Sequence, residues 1–177
     1  MVEFKEFPKI PRLHRLCVIT EKIDGTNASV TITEDGQFLT GSKSKWITPE
    51  EDNYGFSKWA NSNKEELMKL GIGTHHGEWC GLGIQRNYGF KEKRWYLFNT
   101  SKWKDDSVRP KCCYVVPIIY EGLFNTEEVN FALDMLKREG SIISPEFKAE
   151  GVIIFLLSSN SYFKQTIEKD DGWKGKQ

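Results

Sequence analysis

Short apolar segments separated by turn residues dominate the sequence, and they predict a chain of many strands and few helices. Alternating positions in residues 28–33, followed by Asp35-Gly36 and residues 37–40, are typical of a β-hairpin. Residues 151–157 form a continuous apolar run of strand length, which predicts a buried strand. The other predicted strands cover residues 16–20, 75–80, 94–98, 113–120, with an edge or a bulge at Pro117, and 162–167.

Two segments have the spacing of helices. The first covers residues 57–70 and is predicted to end at Gly71, because glycine readily adopts the left-handed conformation that closes many helices. The second begins at Asn125 or Thr126, either of which can cap it, and ends at Gly140. Its apolar face would consist of Val129, Ala132, Leu133 and Leu136, while Glu127 and Glu128 would complement the positive end of the helix dipole.

The predicted fold class is α+β with mainly antiparallel strands, because strands and hairpins predominate. The length of 177 residues suits a single domain. The 25 basic and 25 acidic residues leave no formal net charge, which excludes a globally basic nucleic-acid binder, so phosphate contacts must come from locally gathered cations. Apolar runs are too short for a membrane span, and the N-terminal residues do not resemble a secretion signal, so we expect no membrane contact and a cytoplasmic location.

The cysteines and histidines exclude two classes of site. Cys17 and Cys80 stand alone and Cys112-Cys113 are adjacent, so their spacing predicts neither a zinc site nor a disulfide framework. The side chains of His75-His76 would point to opposite faces of a strand and would not share a metal. Because the chain has three histidines and no Ser-His-acid grouping, we also exclude a triad hydrolase.

The most informative segment is Glu21-Lys22-Ile23-Asp24-Gly25-Thr26-Asn27, which follows the first predicted strand. A plain Asp-Gly turn, as at Asp35-Gly36, would explain part of it, but the crowding of polar side chains around Lys22 indicates a functional site. A lysine at the end of a buried strand can act as a nucleophile once its ammonium has lost a proton, which desolvation or nearby positive charge favours. Attack on the α-phosphate of a nucleotide would also need cations, carboxylates that hold Mg²⁺ and an aromatic ring for the base.

The rest of the chain contains candidates for each of these parts, and each candidate also has an ordinary structural explanation. Carboxylates beside buried strands are costly unless they are paired or metal-bound, but they could be surface acids at strand ends. Lysines could face solvent, and an aromatic ring often belongs to the core. The candidates are two acids, Glu78 and Glu150, the ring of Phe98, and the cations Lys43, Lys45, Lys164, Lys174 and Lys176.

Lys22-Ile23-Asp24-Gly25 resembles the Lys-x-Asp-Gly signature of the covalent nucleotidyltransferases, which comprise ATP-dependent DNA ligases, RNA ligases and mRNA capping enzymes. The longer segment, residues 21–27, is most similar to the phage-type RNA ligases, with glutamate before the lysine and Thr-Asn after the glycine. Further matches follow in the order of that family over nearly the whole chain. They are Gly41-Ser42-Lys43-Ser44-Lys45-Trp46, residues 49–59, Gly77-Glu78-Trp79, Tyr96-Leu97-Phe98-Asn99, Glu150-Gly151-Val152-Ile153 and Phe163-Lys164.

The resemblance implies the antiparallel-sheet nucleotidyltransferase fold and an adenylylation site that uses ATP and Mg²⁺ or Mn²⁺. Lys22 would attack ATP and carry the lysyl-AMP, while Lys164 would contact the α-phosphate and support the loss of pyrophosphate. Phe98 would stack on adenine, Glu150 would hold the metal, and Glu78 would contact the ribose or a metal-bound water. The remaining nucleotide-binding residues would be Glu21, Ile23, Asn27 and Lys43, of which Glu21 and Asn27 could instead orient the RNA end.

Three positions depart from the family pattern. The family usually has an arginine where Lys43 or Lys45 stands, and a lysine lacks the bidentate grip of arginine on phosphate. An acid often follows the stacking phenylalanine, whereas this chain has Asn99. The last motif normally carries two lysines one residue apart, and Thr166 occupies the second place. One of the two lysines near the C-terminus would replace it, or neither would.

The predicted function is an ATP-dependent RNA ligase that joins RNA 3′-OH and 5′-phosphate ends through lysyl-AMP and adenylylated RNA. RNA ends or a nicked duplex would contact a local basic and aromatic face in residues 86–104, unless that segment is only a charged hairpin. One alternative is an adenylyl- or guanylyltransferase that charges itself and either needs a partner protein for RNA or caps ends. Another is an inactive nucleic-acid-binding relative. The resemblance implies one adenylation domain over residues 1–177, without an oligonucleotide-binding-fold or helical domain, acting in the cytoplasm or, for a virus, in the host cytoplasm.

Overall fold

Ten strands form two sheets in the computed structural model, which describes residues 6–10 and 15–168. The strands are β1 (Leu16–Lys22), β2 (Thr26–Ile32), β3 (Phe38–Ser42), β4 (Trp46–Ile47), β5 (Gly73–Gly81), β6 (Lys93–Leu97), β7 (Cys113–Val115), β8 (Ile118–Leu123), β9 (Gly151–Leu156) and β10 (Ser161–Thr166). The four-stranded sheet has the order β10-β9-β1-β8, and the six-stranded sheet has the order β4-β3-β2-β5-β6-β7. Lys174 and Lys176 lie outside the described residues.

The α+β class with mainly antiparallel strands is confirmed, with one exception. Strands β6 and β7 run parallel, while all other paired strands are antiparallel. The predicted strand over residues 113–120 is wrong, because it is two strands that belong to different sheets. Pro117 separates them, and both β7 and β8 are edge strands, where a residue without a backbone N–H is tolerated.

The second predicted helix is confirmed as α4 (Thr126–Glu139). The side-chain oxygen of Asn125 caps it by accepting a hydrogen bond from the backbone N–H of Glu127 at 2.8 Å, and Gly140 follows its last turn. The other helices are α1 (Phe56–Ser62), α2 (Lys64–Leu67) and α3 (Thr100–Trp103). Within the described ranges, no helix is long and apolar enough to cross a membrane.

The first predicted helix, residues 57–70, is wrong as a single helix because it is interrupted at Asn63. Side chains in this segment bond to the backbone carbonyls four residues earlier. Asn61 donates to Ser57 O at 2.8 Å, Ser62 to Lys58 O at 3.0 Å, and Asn63 to Trp59 O at 2.8 Å. Such bonds compete with the regular ladder and bend helices, so the segment ends as a short helix, α2, and one 3₁₀ turn.

Strand alternation decides what each face of the four-stranded sheet meets. Cys17 and Ile19 of β1, with Val152 and Ile154 of β9, pack against the apolar side of α4. Val18, Thr20 and Lys22 therefore point to the opposite face, toward the six-stranded sheet. The six-stranded sheet has its own core with α1 and α2, which is rich in aromatic rings and includes Phe56, Trp79, Trp95 and Trp103.

Two chain segments between β1 and β8 cross from one sheet to the other. The first crossing is residues 23–25, between β1 and β2, and the second is Val116-Pro117, between β7 and β8. The two crossings are adjacent, because the backbone N–H of Glu21 donates to Pro117 O at 3.0 Å. The segment that carries the lysine signature is therefore also a connection between the sheets.

Candidate active site

A cavity of about 620 Å³ lies between the two sheets. Strands β1 and β9 form one wall, and the start of the loop after β6 forms the other. Its mixture of apolar walls with a few polar groups is typical of a small-molecule site. The lining includes Val18, Thr20, Glu21, Lys22, Ile23, Glu78, Phe98, Asn99, Thr100, Ser101, Val116, Glu121, Ile153, Phe155, Leu157, Asn160 and Tyr162.

Lys22 and Glu150 form an ion pair beside this cavity. Lys22 is the last residue of β1 and is opposite Gly151, the first residue of β9, in the strand register. Lys22 Nζ donates to Glu150 Oε2 at 2.6 Å, and the side chains are only 23% and 22% exposed. The predicted nucleophile and the predicted metal-holding acid, which are 128 positions apart in sequence, therefore meet directly.

Glu78 is the second acid of the site, and among residues 6–10 and 15–168 it has no lysine or arginine partner within ion-pair distance. Its Oε1 accepts a hydrogen bond from the backbone N–H of Gly25 at 3.1 Å. Burial raises the pKa of Glu78 to about 7, although the nearby charge of Lys22 opposes this effect. A desolvated carboxylate that faces a cavity is a site for a proton or a cation.

Gly25 is required by close packing at this point. A Cβ built there would lie 2.5 Å from Trp79 O and 2.9 Å from Cys80 Cβ, both on β5. Only glycine lets the crossing segment approach β5 closely enough for its N–H to reach Glu78.

Phe98 and Ile23 supply apolar surface to the cavity. Phe98 follows β6, and its backbone N–H donates to His76 O at 3.0 Å, which fixes the residue beside β5. The ring is half-buried and lines the cavity, while Ile23 is buried behind it in a cluster with Tyr96 and Val116. Across the cavity lies Ile153 of β9. A planar base could be held between such surfaces.

Glu21 is placed differently from the other acids. Strand alternation turns its side chain to the opposite side from Lys22, and the residue is 1% exposed. Its carboxylate accepts hydrogen bonds from Ser141 Oγ and from the backbone N–H of Ile142, the latter at 2.8 Å. Burial raises the pKa of Glu21, while these hydrogen bonds lower it. The carboxylate thus connects β1 with the segment between α4 and β9.

Glu150 contacts Lys22 but is not part of the cavity lining, and three other predicted residues are not part of it either. Lys164 is exposed on β10, but the strand register places it in one row with Ile153 and Thr20, on the cavity face of the sheet. Asn27 is opposite Glu78 in the pairing of β2 with β5. Lys43 is exposed in the turn between β3 and β4. Their roles in nucleotide binding stay predictions.

Most aromatic side chains in residues 86–104 are buried, so they do not form the predicted basic and aromatic face. Tyr88, Trp95 and Trp103 are between 0% and 3% exposed and belong to the core, while Phe90 and Phe98 are partly accessible. In β6, Lys93 and Arg94 are half-buried, whereas Trp95, Tyr96 and Leu97 are buried.

Sequence reasoning also missed the partners of Asp24. Arg86 Nε donates to Asp24 Oδ2 at 2.9 Å, and the backbone N–H of Asp24 donates to the hydroxyl of Tyr88 at 2.7 Å. Both partners come from the loop between β5 and β6, more than 60 positions away. No local pattern in a single sequence connects these positions.

The donor set fits a divalent cation that takes part of its coordination from elsewhere. Glu78 and Glu150 are oxygen ligands, and the charge of Glu150 contributes to the raised pKa of Glu78, so the two carboxylates are near each other. The described part of the chain contains no group of three or more His, Cys, Asp or Glu side chains that could hold a metal. A Mg²⁺-like ion with two carboxylates would complete its shell with water and phosphate oxygens.

A lysine paired with a carboxylate between two mainly antiparallel sheets is the arrangement expected of a nucleotidyltransferase. The model of the RNA ligase family matches residues 15–161, and the chain belongs to this family. No curated protein matches the chain.

Solved structures of an RNA ligase from Naegleria gruberi have a similar fold. A mutant with ATP and Mn superposes with a TM-score of 0.68 at 22% identity, and another mutant with AMP and Mn with a TM-score of 0.66 at 20% identity. Each match covers 86% of this chain and 49% of the Naegleria chain. The present chain therefore spans about half the length of that protein.

Proposed function

We propose that the chain is the adenylyltransferase part of an ATP-dependent RNA ligase. The observation that carries the proposal is the contact of Lys22 Nζ with Glu150 Oε2 at 2.6 Å, beside a cavity that Phe98 and Glu78 also line. Membership of the RNA ligase family and the structures of the Naegleria enzyme with ATP or AMP and Mn support it.

The first step would be attack of Lys22 on the α-phosphorus of ATP. The neutral amine forms an N–P bond, the bond from the α-phosphorus to the bridging oxygen breaks, and pyrophosphate leaves with that oxygen. Glu150 Oε2 is the carboxylate oxygen in contact with Nζ, so it orients the amine and can accept its proton. Phe98 and Ile153 would hold adenine between them, and Lys164, on the same face of the sheet, would approach the phosphates.

Mg²⁺ or Mn²⁺, when bound, would neutralise the phosphate charge that develops in this step. Glu78, a desolvated oxygen ligand that lines the cavity, and Glu150, which is hydrogen-bonded to Lys22 beside it, would hold it. As a carboxylate with a pKa of about 7, Glu78 would bind a cation better as the pH rises above neutrality.

In the later steps, AMP would pass from Lys22 to the 5′-phosphate of RNA, and a 3′-OH would attack the adenylylated end and release AMP. RNA is the proposed partner, either as separate ends or as a nicked duplex. A partner protein that supplies further RNA contacts belongs to the same proposal. A cytoplasmic location, in a cell or in a host infected by a virus, stays a prediction from the sequence.

The decisive experiment is intact mass spectrometry after incubation with ATP and Mg²⁺. We expect a gain of one AMP that is absent in Lys22→Ala and present in Lys137→Ala, which changes an exposed lysine of α4. The absence of any gain in the wild-type protein, at every pH tested, would refute the proposal.

Sealing assays then separate the possible outcomes for a protein that does charge itself. Joining of a nicked RNA duplex or of single-stranded RNA ends supports the complete ligase. Charging without joining of any RNA indicates an enzyme that needs a partner protein, and charging with GTP instead of ATP indicates a guanylyltransferase.

A further inference from the structure

The loop between β5 and β6 has a strained backbone. Gln85, Asn87 and Tyr88 have φ angles of 43°, 63° and 53°, in the left-handed region that residues other than glycine seldom occupy. Such conformations persist only where the surrounding structure holds them, and they concentrate at functional sites. Two side chains of this loop have contacts that explain why the conformation is kept.

Arg86 and Tyr88 both bind the residue that lies two positions after the nucleophile. The Arg86 guanidinium donates from Nε to Asp24 Oδ2 at 2.9 Å, and the Tyr88 hydroxyl accepts from the backbone N–H of Asp24 at 2.7 Å. Tyr88 is 1% exposed, and its ring lies 6.2 Å from the ring of Phe147. The strained loop is therefore anchored in the core on one side and at the lysine signature on the other.

The same guanidinium reaches a second segment of the site. Arg86 Nη1 donates to the backbone carbonyl of Lys148 at 3.1 Å, and Lys148 lies two residues before Glu150. The Arg86 side chain thus joins the two chain segments that carry Lys22 and Glu150. It binds each segment two residues away from the residue that takes part in the ion pair. A lysine at this position could not reproduce both bonds, because it lacks the rigid fork of separate donors.

We propose that Arg86 is a positioning residue for adenylylation, which holds Lys22 and Glu150 in contact by bridging Asp24 and Lys148. The inference rests on the proposed function. Arg86 is not among the residues that line the cavity, so it acts through the segments that it joins and not through the nucleotide.

The kinetic test measures the rate of lysyl-AMP formation in single turnovers over a range of ATP concentrations. Arg86→Ala should lower the rate at saturating ATP by about 10- to 100-fold, because small displacements of reacting groups cost this much. The ATP concentration that gives half the maximal rate should change by less than about twofold. Arg86→Lys should restore little of the rate, and Arg138→Ala, which removes an exposed arginine of α4, should be unaffected.

A double-mutant cycle with Asp24→Asn tests the bridge itself. If the guanidinium acts through Asp24, the loss caused by Arg86→Ala is smaller in the Asp24→Asn protein than in the wild type. A full additional loss in that background, or wild-type rates in both Arg86 variants, would overturn the proposal. If Arg86→Ala does not fold, Arg86→Lys and Asp24→Asn decide it by the same measurements.

A second readout needs neither ATP nor turnover. Trace acetylation followed by peptide mass spectrometry reports how accessible the amine of Lys22 is, with Lys137 as the internal reference. Arg86→Ala should raise the relative labelling of Lys22 by about threefold or more, since a displaced Glu150 no longer holds the amine. Unchanged labelling would contradict the bridge. If the wild-type protein forms no lysyl-AMP, the proposed function fails, while the labelling still decides the role of Arg86.

Discussion

The two faces of the four-stranded sheet differ in what they contact: one packs against α4, and the other lines the cavity. On one face, Cys17 and Ile19 pack under α4 in an apolar cluster. On the other face, Lys22 and Thr20 line an open cavity. The same short strand supplies both, because successive side chains of a strand point to opposite sides.

Alternate residues of β1 therefore contribute to the stability of the fold and to the candidate site. A shift of β1 by one residue would bring Lys22 under α4 and Ile19 into the cavity, so the burial of the covered face fixes the position of Lys22. Glu21 reinforces the arrangement, since its carboxylate is hydrogen-bonded to Ser141 and Ile142 on the side away from Lys22.

The sharpest way to test the comparison is to change neighbouring residues of β1. Ile19→Ala should lower the free energy of unfolding by about 2–5 kcal/mol, because Ile19 is fully buried and its truncation leaves a cavity. Thr20→Ala, on the open face, should cost less than about 1 kcal/mol. Urea unfolding of the two variants measures the difference, and equal losses would show that the faces are not distinct.

On the cavity face, Phe98→Ala should weaken ATP binding by about 1–3 kcal/mol, the contribution of stacking between a base and an aromatic ring. Isothermal titration calorimetry with ATP measures this effect. Phe131→Ala, which removes an exposed ring of α4, is the control and should bind ATP as the wild type does. Wild-type affinity in Phe98→Ala would remove that ring from the nucleotide site.

Glu78, the buried acid of the cavity, makes the stability of the protein depend on pH. The folded-state pKa of Glu78, about 7, exceeds its ordinary value of 4.5, so the native protein binds more protons than the unfolded chain between these values. Stability therefore falls as the pH rises through about 7. Glu78→Gln does not titrate, and its advantage over wild type in unfolding free energy should grow by about 1–3 kcal/mol between about pH 5 and about pH 8.

Denaturant unfolding at the two pH values measures this advantage. Glu146→Gln is the matched control, since the side chain of Glu146 is exposed. Its difference from wild type in the free energy of unfolding should be the same at both pH values. Parallel pH profiles of Glu78→Gln and wild type would mean that Glu78 is not desolvated.

The smallest expected effect lies on the covered side. Asn125→Ala removes the cap of α4 and should cost about 1 kcal/mol, while the rate of adenylylation stays at the wild-type value. Asn130→Ala, in the interior of the same helix, should not destabilise, because alanine is the better helix former. Thermal unfolding measures the stability of both variants, and the mass assay measures their adenylylation. A loss of adenylylation in Asn125→Ala would show that the two faces of the sheet are not independent.

Elements whose signals are local could be predicted from the sequence. Helix α4 has its cap, its apolar face and its terminal glycine within 16 consecutive residues, Asn125 to Gly140, and strand β9 is one apolar run. The interruption of the first helix was missed because it depends on side-chain bonds of Asn61 and Asn63 to the preceding turn. The parallel pairing of β6 with β7 was missed because partner choice across a sheet is not encoded in either strand alone.

The candidate site divides in the same way. Lys22 was predicted from the crowding of polar residues on one turn, and Glu78, Glu150 and Phe98 from an acid or a ring beside a predicted strand. The family pattern then implied their roles. That three of these side chains line one cavity, with Glu150 bound to Lys22, is a property of the folded chain. Arg86 could not be found, since its two partners lie 62 positions away on either side.

The two adjacent crossings between the sheets have a mechanical consequence. The segment after Lys22 and the segment Val116-Pro117 lie side by side, because the backbone N–H of Glu21 donates to Pro117 O. The chain therefore crosses between the sheets twice at the same place, and the two crossings join the sheets there. Lys22, the last residue of β1, lies next to this junction, whereas Asn160, which also lines the cavity, follows the opposite end of β9.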